Sequence, residues 1–153
     1  MTNFSMKREL IFHSKSTKDT FKISSEFMSL ASKKYGSRIP PICLFGTLGS
    51  GKTTFVKGIA KTLGWDHKKV KSPTFTFVRV YKSKSKRLYH CDFYRIEHLD
   101  ELIKEMFLEL LKEKNALIVI EWSERVISLL PKKRIDIHFA HRRENHRDIQ
   151  ITY

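Results

Sequence analysis

Cysteine is scarce in this chain: there are two in 153 residues, Cys43 and Cys91, each set among apolar or aromatic neighbours and neither at metal-ligand spacing. Such a pair supports neither a disulfide framework nor a cysteine metal site, so both read as small core side chains in a reduced compartment. Long apolar runs are missing as well. The longest fall far short of the roughly 20 residues that a helix needs to span a bilayer. The N-terminus, Met1-Thr2-Asn3-Phe4-Ser5-Met6-Lys7, has no apolar core of the secretory kind. These absences point to a soluble, cytoplasmic protein with no membrane partner. Repeats and low-complexity tracts are also lacking, and acids are the minority, 16 Asp plus Glu against 30 Lys plus Arg, for a net charge of +14.

That imbalance makes a polyanion a candidate partner, because a positive field draws in nucleic acid and makes its binding salt-dependent. The basic residues recur along the chain, as Lys68, Lys69 and Lys71, as Lys82, Lys84, Lys86 and Arg87, as Lys132, Lys133 and Arg134, and as Arg142, Arg143 and Arg147. Solvated loop charge explains them equally well. A hydrophobic share of 41% with eleven phenylalanines suffices for a core, and the length suits one domain over residues 1–153.

The apolar pattern alternates between strand and helix periods. Residues 9–13 suit an edge strand. Ser16 then offers an N-cap to a helix with Asp19 in its first turn and Phe21, Phe27, Met28 and Leu30 at helical spacing, stopped after Tyr35 by Gly36. Ile42-Cys43-Leu44-Phe45 is a short apolar run after two prolines and reads as a buried strand. After Gly51, Phe55, Val56, Ile59, Ala60 and Leu63 line one face of a helix that Gly64 ends. Ser72-Pro73-Thr74 turns into a strand through Phe75, Phe77 and Val78, which could pair as a hairpin with residues 88–93. A helix is expected over 99–111 with Asn115 marking its end, then a central parallel strand, Ala116-Leu117-Ile118-Val119-Ile120, closed by Glu121. A short helix over 123–130 and closing strands over 135–139 and 148–152 complete the chain. The expected fold class is α/β, a P-loop NTPase three-layer fold with a mixed, centrally parallel sheet.

The chemistry concentrates in Gly46-Thr47-Leu48-Gly49-Ser50-Gly51-Lys52-Thr53, which matches G-x-x-x-x-G-K-[ST] without gaps between an apolar strand and an amphipathic helix. Closely spaced glycines let backbone N–H groups converge on phosphate oxygens, and the helix N-terminus adds partial positive charge. Lys52 would reach the outer phosphates, and the Thr53 hydroxyl would ligate Mg2+, a cation that takes oxygen ligands and keeps several waters. Such a site also needs an acid near the metal at the end of a neighbouring strand. Glu121 and Asp92 both qualify. The sequence leaves open which of them is the direct magnesium ligand and which positions an attacking water. Capping of the next helix by Glu121 and a salt bridge from Asp92 to Arg95 are the structural alternatives. Thr74, after the P-loop helix, stands where a hydroxyl can sense a terminal phosphate, or else simply forms a turn.

Taken in series, Gly51-Lys52-Thr53-Thr54-Phe55, Lys71-Ser72-Pro73-Thr74-Phe75, His90-x-Asp92-x-Tyr94-Arg95 and Ile120-Glu121-Trp122 resemble the TsaE family, bacterial ATPases of tRNA threonylcarbamoyladenosine biosynthesis. The resemblance runs from about Ser16 to the C-terminal strands. It implies a subunit that hydrolyses ATP, weakly when alone, in support of TsaD-type and TsaB-type partners that transfer a threonylcarbamoyl group onto the adenosine beside the tRNA anticodon. It further implies phosphate binding by residues 49–54, including Thr54, magnesium binding by Thr53 and Glu121, a catalytic or switch role for Asp92 and Thr74, and a nucleotide-site wall from Trp122. Two features depart from the family pattern: Thr47 replaces an acidic or amide residue, and no glycine precedes the strand at Ala116.

A P-loop kinase for a metabolite or nucleotide shares the strand, loop and helix, but would carry an arginine-rich lid between strands, and here the arginines gather near the C-terminus. A basic RNA-binding module with a structural nucleotide is the alternative from another class. The same basic surface leaves room for direct contact with tRNA.

Overall fold

Every residue of β2 (Ile42–Phe45) is buried in the computed structural model, which describes residues 7–73, 76–83 and 86–153. A strand covered on both faces has to lie inside a sheet with helices on either side. β2 accordingly pairs in parallel with β5 (Ala116–Glu121) on one flank and β6 (Ile135–Arg143) on the other. β4 (Arg87–Asp92) runs parallel to β5, and β3 (Val78–Lys82) closes that edge as the antiparallel half of the expected hairpin. At the other edge β7 (His146–Thr152) pairs antiparallel with β6, and β1 (Glu9–Ser14) antiparallel with β7. The seven strands therefore lie in the order β1-β7-β6-β2-β5-β4-β3, mixed overall and parallel at the centre.

Two helices cover one face. α1 (Thr17–Tyr35) starts where the Ser16 hydroxyl accepts from the Asp19 backbone N–H at 3.0 Å, and ends at Gly36, whose φ of 62° belongs to the left-handed region. α2 (Lys52–Thr62) lies beside it, and Phe27, Phe55 and Phe139 form the centre of their shared core, with ring centroids 5.9 and 5.6 Å apart in succession. On the other face α3 (Glu101–Leu110) sets Phe107 edge-on to Phe93 at 4.9 Å, together with Val126 from a 3₁₀ segment, Ser123–Leu129. Burial of each such ring contributes about 1.5–3 kcal/mol, so packing on the two faces holds the helices in place far more firmly than helix propensity does. The result is the expected three-layer P-loop fold.

Several boundaries differ from expectation. Asp100 caps α3 through a 2.8 Å bond from the Ile103 N–H, so the helix begins after Leu99 and stops before Asn115. Residues 123–129 form 3₁₀ turns interrupted at Val126 and not a regular α-helix. The two closing strands are one long hairpin, extended to Arg143 and from His146 and turned at Asn145 with φ 59°. Phe77 lies just before β3 and stacks on Phe93, while Phe75 and Thr74 lie outside the described residues. Cys43 and Cys91 are buried and unbridged, and burial pushes the Cys43 thiol up to about 12 and raises that of Cys91 as well. Among the described residues no helix is long and apolar enough to cross a membrane.

The close approach of α1 and α2 depends on Gly58. A Cβ there would lie 1.9 Å from the Ser24 hydroxyl and 3.2 Å from the Phe21 Cα. Gly58→Ala is therefore expected to destabilise the protein by about 1–3 kcal/mol through overpacking, against the roughly 1 kcal/mol that helix propensity favours alanine. Urea denaturation measures the balance, and a stabilised variant would show that the helices separate freely.

Candidate functional site

The parallel strands β2, β5 and β4 end side by side, and register places Leu44 opposite Glu121 and Asp92 opposite Glu121. Sequence segments separated by many residues are thus brought to one edge, outside the carboxyl ends of the strands, where ligands of open α/β sheets bind. From β2 the chain enters the loop 46–51, in which Gly46, Gly49 and Gly51 adopt φ values of 143°, 75° and 104°. At Gly46 space matters too, since a Cβ would lie 2.7 Å from the Phe139 carbonyl oxygen. The loop delivers the chain into the N-terminus of α2, whose free N–H groups face a cleft of about 430 Å³.

Lys52 is only 4% exposed. Its Nζ donates to the carbonyl oxygens of Gly46 at 2.5 Å and Thr47 at 2.9 Å, reaches the Ser50 hydroxyl at 3.5 Å, and lies 4.2 Å from the centre of the Trp122 ring. Burial lowers the Lys52 pKa from its ordinary value, while the charges of Glu121, Glu124 and Asp92 oppose that shift. Trp122 is placed by a left-handed backbone turn, φ 57°, directly after β5, and packs against Tyr94 at 5.0 Å.

Glu121, 2% exposed, is held at both oxygens. Oε2 accepts from the Thr53 hydroxyl at 3.0 Å, and Oε1 from His90 Nε2 at 2.7 Å. The Thr53 hydroxyl also lies 3.0 Å from that of Ser72. Asp92 stands beside this pair at the end of β4, with Oδ1 accepting from the Tyr94 backbone N–H at 2.9 Å. Burial raises the Asp92 pKa above the usual carboxylate range and the nearby Glu121 charge adds to the rise; hydrogen bonds from Tyr94 and Ser72 and the proximity of His90 work against it.

Residues 48–54, Asp92, Glu121 and Trp122 therefore line one cleft, as the sequence predicts. Gly46 and Thr47 form the base of the loop and contribute carbonyl oxygens to Lys52. Glu121 caps no helix, because the following 3₁₀ segment has no side-chain cap, and Asp92 engages Tyr94 with no ion pair to Arg95 among the described residues. Thr74 lies outside the described residues. Further contributors had no site role assigned from the sequence: His90 behind Glu121, Ser72 beside Thr53, and Thr17, Tyr94, Arg95 and Arg147 along the walls. His90, Ser72, Tyr94 and Arg95 carried a signal through the motifs around Asp92 and Thr74, His90 also through its place two residues before Asp92, which puts both side chains on the same face of the strand.

The family model for threonylcarbamoyl adenosine biosynthesis protein TsaE matches residues 14–149 of this chain. The chain belongs to the TsaE family. Similar proteins include the tRNA threonylcarbamoyladenosine biosynthesis protein TsaE of Aquifex aeolicus, 40% identical over 77% of this chain and 78% of that one. The TsaE proteins of Borreliella burgdorferi and Bacillus subtilis are 40% and 35% identical, over 60% and 72% of this chain and 66% and 68% of theirs. Among solved structures, the crystal structure of YdiB from Bacillus subtilis superposes with a TM-score of 0.70 at 26% identity, covering 96% of this chain and 86% of that one. The loop 46–51 and the strand ends bearing Asp92 and Glu121 all lie inside the matched span, so the family assignment and the cleft concern the same part of the chain.

The buried acid of this TsaE cleft has a measurable signature. Because the folded protein holds the Asp92 proton more tightly than the unfolded chain does, ionising Asp92 lowers stability as pH rises from the ordinary carboxylate pKa through the raised folded value. Asp92→Asn retains an acceptor for the Tyr94 N–H and removes the charge. It is expected to raise stability at neutral pH by roughly 0.5–2 kcal/mol, with the gain fading below about pH 4. Urea titrations at pH 7.5 and pH 3.5 test this, and an equal effect at both would contradict it.

Proposed function

We propose that this protein binds ATP with magnesium in the 46–54 cleft and hydrolyses it to support threonylcarbamoyl transfer to tRNA by TsaD-type and TsaB-type partners. The observation that carries this reading is the meeting of Lys52, Thr53, Glu121 and Asp92 at the mouth of a glycine-rich loop. The donor chemistry suits magnesium: the Thr53 hydroxyl and the Glu121 carboxylate are hard oxygens already in contact. When bound, magnesium would neutralise charge between the outer phosphates.

The chain's own groups have distinct tasks in this reading. The loop N–H groups and the α2 N-terminus receive phosphate oxygens, and Lys52 exchanges its loop carbonyls for the outer phosphates. His90 fixes the orientation of Glu121 from behind, leaving Oε2 directed at Thr53. Asp92, held at Oδ1 by the Tyr94 N–H on the cleft wall, is placed to accept a proton from the attacking water, and burial, which raises its pKa, makes it a stronger base than an exposed carboxylate. Trp122 gives the cleft an aromatic wall.

A contact with tRNA has its own support at the opposite end of the sheet. There Arg38, Lys86, Arg87 and Lys114 surround a cleft of about 470 Å³ floored by Trp65 and Leu117, with Glu113 paired to Arg87 at 3.3 Å. A cationic rim over an apolar and aromatic floor suits a polyanion with exposed bases.

Lys52→Ala is expected to weaken binding of ATP with magnesium by about a hundredfold, the scale of one or two charge-assisted bonds, with an unchanged circular dichroism spectrum. Calorimetry reads the affinity, and an unaltered value would overturn the proposed site. For tRNA, retardation in a native gel is expected at physiological salt and should weaken in an Arg38→Ala, Lys114→Ala double variant. If tRNA is not retarded with or without the TsaD-type and TsaB-type proteins, the basic end is solvated surface.

A further inference from the structure

Arg147 lies on β7, on the far side of β6 from the glycine loop, yet its side chain crosses to the wall of the cleft. It packs so closely over the loop that a Cβ on Gly51 would lie 2.7 Å from its Nη1 and 3.1 Å from its Cδ. Gly51 is the N-cap of the eleven-residue helix α2, and Lys52 follows it. The guanidinium is thus held against the positive end of a helix dipole, next to a residue bearing another cation. Its Nε is buried without a hydrogen-bond partner, and no carboxylate pairs with it among the described residues. The adjacent acid, Asp148, is already taken by Arg142 at 2.6 Å and His13 at 2.7 Å.

Arg147 is only partly exposed, and its buried, unpartnered Nε–H costs stability unless an acceptor meets the guanidinium in use. We propose that Arg147 binds the phosphate of the nucleotide nearest the ribose, clamping it from the β7 side while Lys52 and the acids handle the outer phosphates. The assignment to the inner phosphate follows from strand order. Glu121 on β5 and Asp92 on β4 lie on one side of β2, together with Thr53, where the metal and the terminal phosphate belong in the proposed reading. Arg147 approaches from the other side, through β6 and β7, next to Gly51. The phosphate within its reach is therefore one that ADP retains after hydrolysis, and a planar guanidinium can engage two of its oxygens at once. Gly51 leaves the room this requires, since any side chain there would displace the guanidinium.

This inference rests on the nucleotide reading of the cleft but fails separately from it. Affinities for ADP with magnesium and for a non-hydrolysable ATP analogue with magnesium are measured by calorimetry on the full chain and on Arg147→Gln and Arg147→Lys. The glutamine variant is expected to bind both ligands about tenfold to a hundredfold more weakly, by the same factor, with the lysine variant between it and the parent. The ligand-free melting temperature of Arg147→Gln should equal or exceed that of the parent, because a buried N–H without a partner has been removed. Unchanged affinities would overturn the inference while leaving the Lys52 test of the cleft intact. A loss confined to the ATP analogue would place Arg147 at the terminal phosphate and overturn it as well. A lower ligand-free melting temperature with normal affinities would make Arg147 a structural residue. Failure of the parent to bind either ligand would remove the nucleotide reading itself, and this inference with it.

Discussion

The Glu121 carboxylate, bonded to Thr53 on one oxygen and to His90 on the other, ties together the three pieces on which the cleft depends. Thr53 belongs to the first turn of α2, Glu121 to the end of β5 and His90 to β4. A buried acid with only one of these partners would carry an uncompensated charge in a poorly polarisable interior. With both, it is anchored from above and below, and the glycine loop, the helix and two strands share a fixed geometry. The fold makes this possible at little cost. β2, β5 and β4 are parallel and in register, so their carboxyl ends line up without any special loop to bring them together.

Around that bond the cleft accumulates groups that a protein interior ordinarily avoids. Lys52 is desolvated yet satisfied only by loop oxygens and an aromatic ring, Asp92 holds its proton more tightly than usual, and Arg147 has a buried nitrogen with no partner. Two apolar clusters, one on each face of the sheet, provide the stability against which these arrangements persist. Packing and polar strain are thus spatially separated: phenylalanines between helices and sheet, ionisable groups at the strand ends. A lysine and an acid with opposed shifts in one cleft, Lys52 lowered and Asp92 raised, are the pattern expected of a site shaped for chemistry.

Much of this was legible along the chain. Ser16 and Gly36 bound α1, the apolar run at Ile42 is the buried strand β2, and the loop with its lysine and threonine lies where the motif puts it. Helix and strand periods carried through because each element buries one continuous face. Boundaries were less readable where capping decided them, as at Asp100, or where a turn joined two strands that looked separate, as at Asn145. His90 was visible as a neighbour of Asp92 without a task, since its partner is thirty-one positions away.

Local order along the chain was enough to specify the elements, the phosphate-loop motif, the candidate acids and the family, because each depends on residues that are adjacent or nearly so. Pairings across the sheet were out of its reach. Which acid contacts Thr53, what holds that acid from behind, and which of several C-terminal arginines reaches the loop all follow from strand order, with β6 and β7 on one side of β2 and β5 and β4 on the other. Glu121 meets Thr53 because β5 is the strand next to β2, and Arg147, alone among the arginines at 142, 143 and 147, lines the cleft. Linear spacing carries no information about such neighbours, whose proximity exists only once the hydrophobic faces have packed and the strands have found their register.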